Sequence, residues 1–363
     1  CHFFRRCRMA KTFRNLWPQV VDWRNLLLAY RRCRRRKRYR QPATEFDFAW
    51  EEQLLRLQQE LQAGAYCPGA YQYFHISDPK PRLISAAPFR DRIVHHAIVN
   101  VLEPLFEPSF IEDSYACRLG RGTHKAIQRA QQFQKRFAWC LKTDIVKFFP
   151  SVDHEVMLGV LQRRVADPLL LKLLQQILAS CEGVVGDDGG PVWFPGDDLL
   201  SVLRPKGLPI GNLTSQFFAN VLLNPVDHYI KETLRIPGYL RYADDLLLFS
   251  DDRQQLWGAV ESLTQRLGQY RLRLHPRKTH VQPSRCWLTW LGMRILGSRC
   301  RISQQGIQRF IRRMRRQRDD YSAGAIDAAQ IRQSLHAWLG HTSAVTEAQV
   351  LKVLLRQHCV FSR

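Results

Sequence analysis

The chain has 363 residues, 45% of them hydrophobic, and a formal net charge of +23. That is enough for two or three compact units with a real core, and it excludes a small scaffold held together by disulfides. The excess of Lys and Arg favours a polyanionic partner, nucleic acid ahead of an acidic membrane surface. The ten cysteines form no CxxC pair and no metal-ligand spacing with histidine, so they read as reduced thiols of a cytoplasmic protein. No apolar run approaches the roughly 20 residues that span a bilayer, so no membrane partner is expected.

Residues 1–43 read as a basic N-terminal extension. The chain opens on Cys1, and the residues ahead of Met9 read as an upstream extension of the reading frame, outside the fold. Trp23, Leu26, Leu27 and Tyr30 recur at helical spacing, and the helix they predict runs into residues 31–40, where eight of ten residues are cationic. Such a run is either a solvated face or a phosphate-binding arm; its density, with tyrosines beside it, points to phosphate contacts by Arg34, Arg35 and Arg36.

Residues 44–63 predict a helix that carries Phe48, Leu54, Leu55, Leu57 and Leu61 on one stripe, with Thr44 as N-cap and Gly64 as its stop. Residues 71–76 and 81–85 predict paired strands whose turn carries Lys80 and Arg82, a basic tip able to close over a triphosphate. Residues 88–109 predict a helix with His95 and His96 in its middle, where paired histidines suit the core or a phosphate better than a metal. The glycine-broken loop 114–124 carries Arg118 and Arg121 into a helix over 124–136, a combination suited to phosphate or template backbone.

Residues 141–149 predict a strand bearing one aspartate, Asp144, followed by a helix over 152–180 and a loop or small hairpin over 181–206. A turn at 207–216 leads into a helix through Leu223 and a second over 224–234. Residues 240–250 form an apolar run interrupted by Asp244 and Asp245, where a hairpin turns. A helix over 254–270, a strand ending at 271–279 and a hairpin around Gly292 follow. Beyond residue 300, Ile307, Phe310, Ile311 and Met314 make one helical face and Arg309, Arg312, Arg313, Arg315, Arg316 and Arg318 cover the rest. Further helices are expected near 328–340 and 346–358. The expected fold is α+β, a central antiparallel sheet followed by a basic helical unit.

Carboxylates beside buried strands are costly unless a cation neutralises them. Adjacent aspartates are also common in surface turns, but a second acidic strand at Asp144 favours a shared site. If the three carboxylates meet, each close pair repels by about 4 kcal/mol at an effective dielectric of 20. Two Mg²⁺ ions about 3.5–4 Å apart, with Mn²⁺ as a substitute, would remove that repulsion and clamp an in-line phosphoryl transfer. That chemistry fits nucleotidyl transfer to a primer.

Tyr242-Ala243-Asp244-Asp245 resembles the YxDD box of reverse transcriptases. The order of motifs agrees: the basic hairpin, Asp144 ahead of Phe148-Phe149, Gly207-Leu208-Pro209, the aspartate hairpin, Lys278, and Trp290-Leu291-Gly292 in the place of a primer grip. The resemblance covers residues 45–340 and implies a right-hand polymerase, with fingers and palm over 44–297 and a helical thumb over 298–363. Group II intron-like enzymes usually carry Gln-Gly and Ser-Pro in the fourth motif. Here Ile210-Gly211-Asn212-Leu213-Thr214-Ser215-Gln216 resembles the diversity-generating retroelement branch, as do Lys80-Pro81-Arg82, the segment 91–96 and Trp338-Leu339-Gly340-His341. The length, without room for maturase, endonuclease or RNase H domains, agrees with that branch.

The resemblance implies error-prone copying of a template-repeat RNA into cDNA, chiefly at adenines, from a primer and dNTPs, with a small oligomeric helical accessory protein as partner. It implies that Asp144, Asp244, Asp245 and the Ile145 carbonyl hold the metals. Lys80 and Arg82 would hold the triphosphate, Phe149 would exclude a ribose 2′-hydroxyl, and Lys278 would protonate the pyrophosphate. Ile210, Gly211 and Gln216 would line the nucleotide site, and Arg309, Arg312, Arg313 and Arg316 the nucleic acid. The alternatives are a group II-like, CRISPR-associated or retron-type reverse transcriptase, or a non-catalytic RNA-binding protein.

Overall fold

The computed structural model describes residues 12–35, 41–76, 82–181, 192–343 and 345. The N-terminal part is helical: α1 (Trp17–Val20), α2 (Trp23–Arg34), α3 (Gln41–Phe48) and α4 (Trp50–Gln62). Asp22 caps α2 by accepting from Arg24 N at 2.8 Å, which satisfies a donor that helix geometry leaves open. The single helix expected over 44–63 is two helices. The chain breaks at Ala49, where φ is −132°, so Thr44 lies inside α3 instead of at a helix start. Phe48, expected on the buried stripe, is 96% exposed.

Strands β1 (Gln72–Ile76) and β2 (Arg82–Ala86) form the expected antiparallel pair. α5 (Phe89–Phe106) buries Ile93, Val94, Ala97, Ile98 and Leu102. His95 is buried with them, and burial, His96 and Arg92 push its imidazole down to about 3, so it is a neutral core residue. α6 (Thr123–Arg136) leads into β3 (Trp139–Asp144). After a short α7 (Phe148–Ser151), the single helix expected over 152–180 is two: α8 (His154–Gln162) and α9 (Pro168–Ala179). Asp153 and Asp167 cap α8 and α9. Asp167 also accepts from Leu16 N and Trp17 N at 2.8 Å, which ties the N-terminal segment to the body.

α10 (Leu213–His228) runs on through a π-turn at Tyr229–Thr233 to β4 (Gly238–Tyr242) and β5 (Asp245–Ser250). α11 (Arg253–Gly268) follows. Residues 271–279, read from the sequence as a strand end, are turns with an isolated bridge at Leu274; the strand, β6 (His280–Pro283), comes after them. β7 (Leu288–Trp290) and β8 (Met293–Leu296) make the expected hairpin, and an unexpected β9 (Arg299–Ile302) extends it. α12 (Gln304–Ser322) and α13 (Ala328–Thr342) complete the order. The helix expected near 346–358 lies outside the described residues.

The central sheet has the order β4-β5-β3-β6, and every pair is antiparallel. It divides the core. On β5, Leu246 and Leu248 enter one buried cluster with α5, α8, α10 and α11, while Leu247 and Phe249 enter the other with α6, β7–β9, α12 and α13. Burial on both faces explains why β5 reads as a continuous apolar run instead of an alternating one. Among the described residues no helix is long and apolar enough to cross a membrane.

Candidate active site

Pairing of β3 with β5 sets Asp144 opposite Asp245, and pairing of β4 with β5 sets Tyr242 opposite Asp245. The turn between β4 and β5 is Ala243-Asp244, and Ala243 takes the left-handed φ of +54° that lets it reverse so tightly. Ile145 N donates to the Asp244 carbonyl at 3.3 Å, so β3 is stitched to the turn just beyond the register. Residues a hundred positions apart in sequence are thereby neighbours. Asp144 is 7% exposed. A hydrogen bond joins its side chain to Asp244, whose carboxyl is pushed up to about 7 by burial and by the charges of Asp144 and Asp245.

Lys278 contacts Asp144 Oδ2 directly. The segment that delivers it runs beside β3, with His275 N donating to the Asp144 carbonyl at 2.7 Å and Val146 N to the Arg273 carbonyl at 2.9 Å. Lys278, expected near a leaving pyrophosphate, is thus held here as the counter-ion of Asp144. Among the described residues no three His, Cys, Asp or Glu side chains form a ready metal-holding group. The backbone gathers the three aspartates, while the side chains meet as the pair Asp144–Asp244 with a lysine on it. The donor set still fits a divalent cation: hard carboxylate oxygens crowded together, so that burial and like-charged neighbours oppose the charge of Asp244 until a cation offsets it.

The turn has a second support that the sequence reading missed. Arg241 is 1% exposed, and its guanidinium grips the fully buried Asp227 of α10 through Nε at 2.8 Å and Nη2 at 2.7 Å. Nη1 donates to the Ala243 carbonyl at 3.0 Å and to Asn220 Oδ1 at 3.1 Å. Tyr239 donates to the same Asp227 at 2.6 Å. The aspartate hairpin is therefore bolted to α10 through a desolvated, bidentate ion pair. The available signal was a lone charge inside each of two apolar runs, because a buried charge requires a partner. On its other side Tyr242 lies within 3.0 Å of the Thr123 hydroxyl and packs edge-on against Trp290 of the β7–β8 hairpin.

Phe149 is half-buried and meets Phe148 edge-on at 5.4 Å. Ile210 is half-buried, and Gly211 has φ +118°, a conformation that favours glycine. A Cβ on Gly211 would come within 3.5 Å of Ile84 on β2, so this turn abuts the basic hairpin. Gln216, expected beside the nucleotide, lines a narrow space shared with Glu107 and Arg118. Arg82 begins β2; Lys80 and Arg36 lie outside the described residues.

Three arginines expected on nucleic acid are engaged within the protein. Arg118 is 9% exposed, grips Glu107 at 2.7 Å and donates to the Ile111 and Ser114 carbonyls, so it braces its own loop. Arg121 pairs with Glu112 at 2.7 Å and Arg34 with Asp47 at 2.6 Å. Arg35, in the turn after α2, is exposed. On α12 the apolar face seats Phe310 and Met314, and Phe310 stacks on Trp338 of α13 at 3.7 Å. Arg312 and Arg316 point outward, while Arg309 and Arg313 are half-buried. Replacing Arg312, Arg315 and Arg316 with Gln is expected to weaken RNA binding and to shallow its salt dependence by about 2 in log–log slope, measured by anisotropy.

The profile of the family described as reverse transcriptase (RNA-dependent DNA polymerase) matches residues 77–295, more than half of the chain. The chain belongs to the reverse transcriptase family. This reverse transcriptase is 25% identical over 305 residues to Protein YkfC of Escherichia coli strain K12, covering 71% of the chain and 74% of YkfC. It is 24% identical over 183 residues to the group II intron-encoded protein LtrA of Lactococcus lactis subsp. cremoris, covering 50% of the chain but only 28% of LtrA. Nuclear intron maturase 1, mitochondrial, of Arabidopsis thaliana is 33% identical over 90 residues, 25% of this chain and 13% of that protein. Every aspartate of the candidate site lies within the matched span.

Proposed function

We infer that this reverse transcriptase copies an RNA template into DNA at a centre formed by Asp144, Asp244 and Asp245, arranged as fingers, palm and thumb. The observation that carries this reading is the Asp144–Asp244 carboxyl pair at the end of β3, with Asp244 pushed up to about 7 by burial and by its charged neighbours. Asp144, Asp244, Asp245 and the Ile145 carbonyl are the groups that would hold two divalent cations, Mg²⁺ in the first instance. When bound, such ions supply a more acidic primer hydroxyl and neutralise the triphosphate. The chain's own residues do the positioning. Arg241 fixes the turn, Lys278 holds Asp144 in its orientation, and Tyr242 ties the turn to the β7–β8 hairpin, where a primer end would rest.

For the branch, we take the diversity-generating retroelement reading: adenine-mutagenic copying of a template-repeat RNA, with a helical accessory protein. It is supported by Ile210-Gly211-Asn212 in the fourth motif and by that turn's contact with the basic hairpin. Isoleucine offers the nucleotide shape alone, which discriminates by only about 1–3 kcal/mol per methylene-sized difference. A glutamine there adds a hydrogen-bonding partner. Ile210→Gln is expected to lower misincorporation opposite template adenine severalfold, read by sequencing primer-extension products; an unchanged error spectrum would overturn the role given to Ile210. A group II-like reading is favoured by the names of the intron-encoded relatives. The two differ in outcome, since the first expects errors concentrated at adenine and the second does not.

A further inference from the structure

We propose that this protein holds a single-stranded RNA segment in a second site, at the end of the central sheet away from the aspartates. A groove of about 860 Å³ opens there between the end of α6, the start of β3, the end of β6 and the β8–β9 turn. Lys135, Arg285 and Arg299 line it from three different elements, all exposed, and among the described residues its lining contains no carboxylate. Asp251 lies nearby in the chain's folding, but its Oδ1 accepts from Ala138 N at 2.9 Å. Trp139 begins β3 and Asp144 ends it, so the groove and the catalytic pair are about 17 Å apart along the strand.

The groove is built, not merely charged. Gln134 donates to the Cys286 carbonyl at 2.9 Å and the Ile295 carbonyl at 3.3 Å, and its carbonyl accepts from Gly297 N at 3.0 Å, which locks α6 to both sides of the β7–β9 sheet. Ser284, in the lining, keeps a buried hydroxyl with no hydrogen-bond partner among the described residues. Beside it, the solvent face of that sheet pairs Arg294 with Arg301 across β8 and β9. Both guanidiniums lie over the Trp287 ring, at 5.0 and 5.1 Å. Flat cationic planes next to a convergence of three cations offer both features of an unpaired nucleotide a partner: its base a stacking surface and its phosphate a charge. An acidic peptide would satisfy the charge and leave the planes unused.

The test keeps the polymerase centre out of the measurement. The full chain is saturated with an unlabelled hairpin primer–template, and binding of labelled oligouridine is followed by anisotropy without nucleotides, so the result does not depend on catalysis. Combining Lys135→Glu, Arg285→Glu and Arg299→Glu is expected to weaken oligouridine at least tenfold and to shallow the salt slope by about 2. Extension on the hairpin should stay within twofold of wild type. On the wild-type protein, oligouridine is expected to protect Lys135 from acetylation. Unchanged affinity and slope, or no protection of Lys135, would overturn the proposal. So would competition by polyglutamate as strong as that by RNA, which would make the groove a site for an acidic protein, or a parallel loss of extension, which would make it part of the polymerase path.

Discussion

Asp244→Asn is expected to abolish nucleotide incorporation while raising thermal stability in the presence of a chelator. Asp244 is half-buried beside Asp144 and Asp245, and that surrounding opposes its charge. Asparagine keeps the shape and the hydrogen bond to Asp144 without the charge. The relief should raise the melting temperature by roughly a few degrees. Incorporation should fall by more than the roughly 10–100-fold that losing a group behind a metal ligand costs. RNA affinity should stay within twofold, because no template contact is removed. Lower stability with retained incorporation would show that the carboxylate is structural.

Breaking the Arg241–Asp227 pair should have the largest effect on stability. Both side chains are almost fully buried, and stranding one charge of such a pair costs about 3–5 kcal/mol. Asp227→Leu alone is therefore expected to unfold or aggregate. Combining it with Arg241→Met removes both charges, and such apolar replacements are often neutral or stabilising. The double variant should recover a cooperative melt near wild type, yet it lacks the donor to the Ala243 carbonyl. Its kcat should remain at least tenfold down, with KM for dNTP less affected and a higher divalent-ion concentration needed for half activity. A double variant with both stability and kcat restored would reduce the pair to a packing device, whereas Arg241→Lys, which keeps a donor, should recover part of the kcat.

The antiparallel sheet was legible because its inner strand β5 is a continuous apolar run, as a strand lying between two buried clusters tends to be. What failed was local. The break at Ala49 has no glycine or proline to mark it, and the helical period runs through it. Residues 271–279 alternate like a strand, but their backbone groups go to Asp144 and Val146 at single points, so no ladder forms. β9 was overlooked although Arg299-Cys300-Arg301-Ile302 alternates exposed and buried. Arg118 looked like a surface cation because its partner Glu107 sits eleven residues earlier, on the far side of a turn. The same blindness to distant partners hid Arg241: charge in a sequence shows its sign but not what it will face.

Primer extension by the purified chain, on an RNA template annealed to a DNA primer, tests the polymerase reading most directly. Template-directed addition of dNTPs is expected in Mg²⁺ or Mn²⁺, none in chelator, and none with Asp144→Asn or Asp244→Asn. A folded wild-type chain that binds the primer–template but adds nothing with either ion, or asparagine variants that extend as well as wild type, would contradict it.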